Sequence, residues 1–147
     1  MFPLAIFIGG ATASQKSSLA FQIQSKVPSF IINADSMQVY DKLDILTNKP
    51  KKKFIDQYNC KLFNFLSYPE KCNVGLWRRK SIELLKKTKK TPIFVGGTGL
   101  YLDSLINNIS NIPPISKKIR LRVNRIFQDK GKNYFYEKLL KIDNSYA

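Results

Sequence analysis

The stretch Ile8-Gly9-Gly10-Ala11-Thr12-Ala13-Ser14-Gln15-Lys16-Ser17 decides how the rest of the chain is read. An apolar run leads into it from Pro3 and a helical pattern leaves it, so it lies at a strand-to-helix turn. At such a turn successive backbone N–H groups face one concavity, and the positive end of the helix dipole adds to them; phosphate groups are held this way. Lys16 is placed to reach the bridging phosphate oxygens and the Ser17 hydroxyl to ligate Mg²⁺, in the order G-x-x-x-x-G-K-[ST]. One position departs from that order. The second glycine is Gln15, so a side chain stands where backbone and phosphate approach each other. The plain alternative is a Gly/Ser/Thr turn capping an ordinary helix, with Lys16 solvated in its first turn.

The flanking pattern is that of alternating strands and helices. Pro3 to Ile8 is continuously apolar, as expected of a strand buried on both faces of a parallel sheet, and reads as a strand rather than a signal peptide because no basic leader or cleavage site accompanies it. Leu19, Ile23 and Val27 recur at helical spacing over 16–27, and Pro28 stops that helix. Phe30-Ile31-Ile32 predicts a second strand that delivers Asp35 to the carboxyl edge of the sheet, the edge that carries the phosphate loop. The segment 37–56 reads as loop, its lysine run at 51–53 solvated, and 62–66 as a further strand. Val74, Trp77, Ser81, Leu84 and Leu85 mark the inner face of a helix, with Trp77 in the core. Pro92 to Val95 is another buried strand, ending in Gly96-Gly97-Thr98-Gly99-Leu100-Tyr101 and a helix over 102–106. This alternation predicts a doubly wound α/β layer fold. Beyond it Pro113-Pro114 breaks the chain and two helical segments follow. Ile119, Val123, Ile126 and Phe127 form the inward stripe of the first, with Lys118, Arg122 and Arg125 sharing another face, while Phe135, Leu139 and Ile142 form the stripe of the second. Such a pair buries little by itself and needs something to pack on.

Composition narrows the chemistry. The 147 residues suffice for about one domain with a real core. Lys and Arg number 25 against 10 Asp and Glu, a net charge of +15 that favours a polyanionic partner, nucleic acid before an anionic membrane surface. There is no histidine, which excludes a Ser-His-Asp triad, a Cys-His pair and any histidine-built metal site within this sequence. Cys60 and Cys72 make neither a metal spacing nor a disulfide framework and suit a reducing cytoplasm. No run approaches the ~20 apolar residues of a membrane span.

Four separated motifs then carry a resemblance. Gly10 to Ser17, Asp35-Ser36-Met37-Gln38-Val39-Tyr40, Asp44-Ile45-Leu46-Thr47-Asn48-Lys49-Pro50 and Gly96 to Tyr101 stand in the order and spacing of the tRNA dimethylallyltransferases, also called tRNA isopentenyltransferases. The chain resembles the first half of a member of that family. The resemblance implies a P-loop NTPase-like parallel sheet flanked by helices (1–112), followed by the beginning of a helical tRNA-binding insertion (113–147). It implies transfer of a dimethylallyl group from its diphosphate to the exocyclic amine of the adenosine beside the anticodon, with Mg²⁺, by a cytoplasmic and monomeric enzyme. Gly10, Ala11, Thr12, Ala13, Ser14, Gln15, Lys16 and Ser17 would hold the diphosphate, Lys16 stabilising the leaving pyrophosphate and Ser17 the metal. Asp35 would take the proton from the amine and Thr98 would bond near it. Ser36, Met37, Gln38 and Arg120 would join Asp35 and Thr98 in meeting the tRNA.

The duller readings are that Asp35 caps a turn or pairs with Lys16, that Thr98 caps a helix, and that Ser36, Gln38 and Arg120 are ordinary polar residues. The chain also departs from the family pattern: besides Gln15, Ala11 replaces a proline, Lys42 and Leu46 replace glycines, and Cys60-Lys61 replaces a histidine pair. An arginine that clamps the diphosphate lies in the part of the pattern beyond Ala147. The rival functions are a nucleoside-kinase-like P-loop enzyme, a prenyl transferase acting on free adenine nucleotides, and an inactive RNA-binding remnant.

Overall fold

The computed structural model describes residues 4–110 and 115–146. The chain forms two compact units, Met1–Ile109 and Ser110–Ala147. The first is built on three strands, β1 (Ile6–Gly9), β2 (Ser29–Asn33) and β3 (Thr91–Gly96), all parallel, with β3 in the centre. The connections carry α1 (Lys16–Gln24), α2 (Lys52–Gln57) and α3 (Val74–Leu85), and α4 (Gly99–Ile106) follows β3.

The apolar runs form strands because the sheet has a covered layer on each face. Side chains alternate across it: Phe30, Ile32, Ala34 and Phe94 join Trp77 of α3 and Tyr101 of α4, while Ile31, Ile93, Val95 and Ile8 join Ala20 of α1. Trp77 is fully buried, stacks on Tyr101 at 4.7 Å between centroids, and donates Nε1–H to Asn33 O at 2.7 Å, so the core tryptophan also clamps the end of β2.

Several expectations are corrected. β1 is an edge strand and is not buried on both faces: Phe7 is 37% exposed and stacks on Phe94 from one side. The inward residue of α1 is Ala20, whereas Leu19 and Val27 are exposed; a small residue lets the helix approach the sheet beneath the loop. The helix ends at Gln24, before Pro28. The segment 62–66 is not a strand. Left-handed backbone at Asn59, Leu62 and Asn64 breaks the extension, leaving isolated parallel bridges of Ile32 with Lys61 and of Tyr40 with Leu66. The lysine run at 51–53 enters α2, whose first turn begins at Lys52.

In the second unit α5 (Lys117–Ile142) is interrupted at Gly131, where φ is 69°, so the two helical segments read from the sequence are its two stretches. Ser116 caps it, accepting from Ile119 N–H at 3.3 Å. The stripes read as inward are largely open to solvent: no residue of α5 is buried, and Ile119, Val123, Phe127, Leu139 and Ile142 are all exposed. Two helical stretches alone supply no third surface to cover both faces. Pro113-Pro114 lies outside the described residues.

The tightest backbone approach in the first unit is at Gly96, where a Cβ would lie 2.1 Å from the carbonyl carbon and oxygen of Ala34. Since both atoms are backbone, Gly96→Ala must push β2 and β3 apart. A loss of about 3 kcal/mol of unfolding free energy is expected in urea titration, against less than about 1 kcal/mol for Gly99→Ala, whose Cβ would meet nothing.

Candidate active site

The carboxyl ends of the three strands converge on one cavity of about 340 Å³ within the first unit. Its wall is formed by Thr12, Ala13, Ser14, Gln15, Lys16 and Ser17 of the glycine loop, by Asp35 and Gln38 after β2, by Thr47, Asn48 and Pro50, and by Gly96 and Gly97 after β3. Ala20, Phe21, Ile31, Cys60, Phe63 and Val95 supply an apolar side. The cavity is therefore charged and polar along the loop and oily beneath it.

The loop adopts the turn its glycine pattern calls for, although glycine occupies only part of it. Gly10 lies at φ +152°, and Ala13 and Gln15 take left-handed φ values of 62° and 59°. Gln15 is the N-cap of α1, and its carbonyl accepts from Leu19 N–H at 3.1 Å, which starts the helix. The strain of a side chain at φ > 0 is thus borne where the family pattern has glycine. In the first turn of α1 the N–H groups of Lys16 and Ser17 have no intrahelical partner, and their residues line the cavity. Lys16 Nζ folds back onto Ala11 O and approaches Ser14 Oγ at 3.4 Å. It is not paired with Asp35.

Asp35 is positioned by the residue two before it. The buried Asn33 side chain accepts from Asp35 N–H at 3.1 Å and donates to Asp35 O at 3.2 Å and Leu62 O at 3.1 Å. The Asp35 carboxylate accepts at Oδ1 from Met37 N–H at 2.8 Å, so it both caps a turn and lines the cavity. Thr98 does not cap α4 with its side chain. Its Oγ1 accepts from Ser36 N–H at 3.0 Å and its N–H donates to Ala34 O at 3.1 Å, tying the two loops together behind the cavity wall. Gly10, Ala11, Ser36, Met37 and Thr98 are outside the lining; Ser36 and Met37 follow Asp35 in its turn, and Met37 is 49% exposed. Arg120 belongs to α5, in the other unit.

Some residues of the site were given no role from the sequence, Lys49 entering only within the Asp44–Pro50 motif. Lys49, its side chain 1% exposed, holds the loop after Tyr40 through Tyr40 O, Asp44 Oδ1 at 2.7 Å and Asn64 Oδ1. Phe21 of α1 and the pair Cys60 and Phe63 of the loop after α2 reach the cavity from two separate segments, a proximity that only the tertiary fold creates. Burial pushes the Cys60 thiol up to about 11, against the pull of Lys61, so it is a neutral part of the apolar wall. Among the described residues no group of three or more His, Cys, Asp or Glu side chains could hold a metal ion.

The family model for IPP transferase matches residues 38–147. The chain belongs to the IPP transferase family. It is 49% identical over 143 residues to a tRNA dimethylallyltransferase of Pelagibacter ubique, covering 94% of this chain and 45% of that protein. To the tRNA dimethylallyltransferase of Borrelia hermsii it is 38% identical over 141 residues, covering 94% and 47%. Among solved structures, a eukaryotic dimethylallyltransferase acting on tRNA superposes with a TM-score of 0.82 at 26% identity, over 98% of this chain and 37% of that one. The full-length tRNA isopentenylpyrophosphate transferase of Bacillus halodurans gives 0.71 at 25% identity, over 99% and 49%. The chain spans about half the length of the curated relatives it matches. Among the described residues no helix is long and apolar enough to cross a membrane.

Gln15 offers a direct test of the strained loop. Gln15→Gly removes the left-handed strain but gives the unfolded chain more freedom, so a net gain of up to about 1 kcal/mol is expected in denaturant titration. A loss of stability would show that the Gln15 side chain makes contacts worth more than its strain.

Proposed function

We propose that this chain supplies the donor-binding and base-bearing part of a tRNA dimethylallyltransferase. In this reading the loop 12–17 holds the two phosphates of dimethylallyl diphosphate, and Asp35 takes a proton from the exocyclic amine of the adenosine beside the anticodon as the carbon–nitrogen bond forms. The observation that supports it is one cavity lined by the glycine loop, the Asp35 carboxylate and an apolar wall. Related proteins named for this activity add support, at about half their length.

The residues divide the work by chemistry. Loop amides and Lys16 offset charge that grows on the diphosphate as the allylic carbon–oxygen bond breaks. The apolar wall excludes water, which would otherwise compete for the allylic carbon. Mg²⁺ fits the donors present: Ser17 is exposed on the cavity wall, and with no acidic cluster to hold the ion it would be shared between that hydroxyl and the phosphate oxygens, where it would lower the charge of the leaving group. Thr98 acts by fixing the Asp35 turn through Ser36. Ser36, Met37, Gln38 and Arg120 are assigned to the tRNA, and 113–147 is read as the start of the helical tRNA-binding insertion, whose exposed Lys118, Arg122 and Arg125 suit a phosphate backbone. A monomer working in the cytoplasm completes the assignment.

The reading predicts Mg²⁺-dependent transfer of labelled dimethylallyl from its diphosphate to an anticodon stem-loop by residues 1–147. Asp35→Ala should lower the rate by about 10²- to 10⁴-fold. Lys16→Ala should weaken pyrophosphate binding by about 10- to 100-fold, a measurement that needs no turnover. Unchanged pyrophosphate affinity in Lys16→Ala would remove the loop assignment, and near-normal transfer by Asp35→Ala would remove the base. Competition by AMP as strong as by the stem-loop would favour the transferase of free nucleotides.

A further inference from the structure

Three irregular segments line the cavity and meet on one ammonium. The stretch 35–40 after β2 contributes Asp35 and Gln38, the stretch 44–50 contributes Thr47, Asn48 and Pro50, and 60–64 contributes Cys60 and Phe63. Among the described residues only two isolated bridges pair strand-like at these segments, Ile32 with Lys61 and Tyr40 with Leu66. Lys49 takes the place of a ladder. Its side chain is 1% exposed, and Nζ donates to Tyr40 O at 2.6 Å, to Asp44 Oδ1 at 2.7 Å and to Asn64 Oδ1, so each segment supplies one acceptor. An ammonium has three N–H donors, and all three are used. Weaker bonds fasten the same segments around it: Gln38 Nε2 donates to Thr47 O at 3.0 Å and Asn64 N–H to Gln38 O at 3.4 Å. The glycine loop stands apart from this network. It is anchored to β1 and α1, and among the described residues no hydrogen bond joins residues 10–17 to the three segments.

We propose that Lys49 is a positioning residue for the hydrocarbon of the donor: its ammonium sets the spacing at which the three segments enclose the dimethylallyl group, while the glycine loop holds the diphosphate independently. The proposal rests on reading the cavity as the donor site. Lys49 is absent from the lining, so it acts through its neighbours. It lies between Asn48 and Pro50, and its partner Asn64 follows Phe63, so one ammonium ties the polar rim to the apolar wall. The bonding is also specific to lysine. An arginine fork cannot direct three donors from one nitrogen, and a neutral chain of equal length leaves Tyr40 O and Asn64 Oδ1 without this donor and Asp44 without its ion pair. Oxygens deprived of a partner in a buried place draw water or move apart. The cavity would then keep its phosphate loop and lose the fit of its wall.

Two ligands separate the loop from the wall, pyrophosphate and dimethylallyl diphosphate, each titrated calorimetrically into residues 1–147 with Mg²⁺ and no acceptor present. Burial of the hydrocarbon should make the native chain bind dimethylallyl diphosphate about 10- to 100-fold more tightly than pyrophosphate. Lys49→Met should cut that preference to less than about 3-fold and leave the affinity for pyrophosphate within about 3-fold of native. A chain that was merely destabilised would lose both affinities together, so the ratio reports position and not stability. Propylammonium supplies the atoms missing from Lys49→Ala and should restore the preference, whereas propanol should not. Asp44, its side chain 69% exposed, offers the milder Asp44→Asn, which should lower the preference by about 3-fold and decides the matter even if Lys49→Met fails to fold. A folded Lys49→Met chain with the native preference, equal loss of both ligands, or rescue by propanol as full as by propylammonium would each overturn the proposal. If the native chain binds the two ligands equally or not at all, the donor reading itself fails and the hydrocarbon claim with it. Hydrogen exchange still returns its own answer in that case: the bonded amides of Thr47, Asn48 and Phe65 should exchange faster in Lys49→Met than in the native chain, with those of β2 and β3 unchanged.

Discussion

The site depends on how closely β3 runs past the end of β2. Gly96 lets the central strand pass so near Ala34 and Asp35 that a Cβ would lie 2.1 Å from the Ala34 carbonyl. That contact closes a ladder of bonds: Ala34 N–H to Val95 O at 2.8 Å, Thr98 N–H to Ala34 O at 3.1 Å, and Ser36 N–H to Thr98 Oγ1 at 3.0 Å. Because Gly9 pairs with Gly96 on the other side of β3, the same ladder fixes the glycine loop relative to Asp35. Three strand ends are thereby aligned at one edge, where a parallel sheet places its ligands.

Around that edge the buried polar groups are spent on geometry. Asn33 uses Oδ1 and both directions of its amide nitrogen on the backbone of Asp35 and Leu62, and its own carbonyl on Trp77. Lys49 gives its ammonium to three oxygens. A buried polar group is costly unless partnered, so each of these networks holds its loop in one arrangement or loses the whole of its hydrogen bonding. The loops after β2 are irregular, with left-handed residues at Lys42, Asn48, Asn59, Leu62 and Asn64, yet they are held by specific bonds and not by a regular ladder.

What could be read from the sequence was set by local rules, and what escaped was set by tertiary ones. Short apolar runs marked β2 and β3, because strands covered on both faces need continuous apolar sequence. The glycine loop and the placing of Asp35 at a strand's carboxyl end followed from the same logic. At 62–66 the apolar letters Leu, Phe, Phe and Leu read as a strand, but the alternating left-handed residues that bend this segment leave no mark in hydrophobic periodicity. Leu19 looked like the inner face of α1 by size, whereas a helix pressed against a sheet beneath a tight loop selects Ala20. Lys49 was legible only as part of a resemblance, since a lysine before a proline ordinarily signals a solvated turn. Thr98 is a helix N-cap by position, and only the structure reveals that its hydroxyl is used on Ser36 instead.

The polarity of the cavity argues for group transfer more strongly than any residue in it. Its loop end is made of donors, the amides of a helix N-terminus and the Lys16 ammonium. The turn after β2 contributes the side chains of Asp35 and Gln38. Here Phe21, Ile31, Phe63 and Val95 line the same space. Donors, acceptors and apolar groups on one cavity suit the proposed pairing of an anionic donor with an amine. The thiol of Cys60, held neutral by burial, adds no charge to that wall.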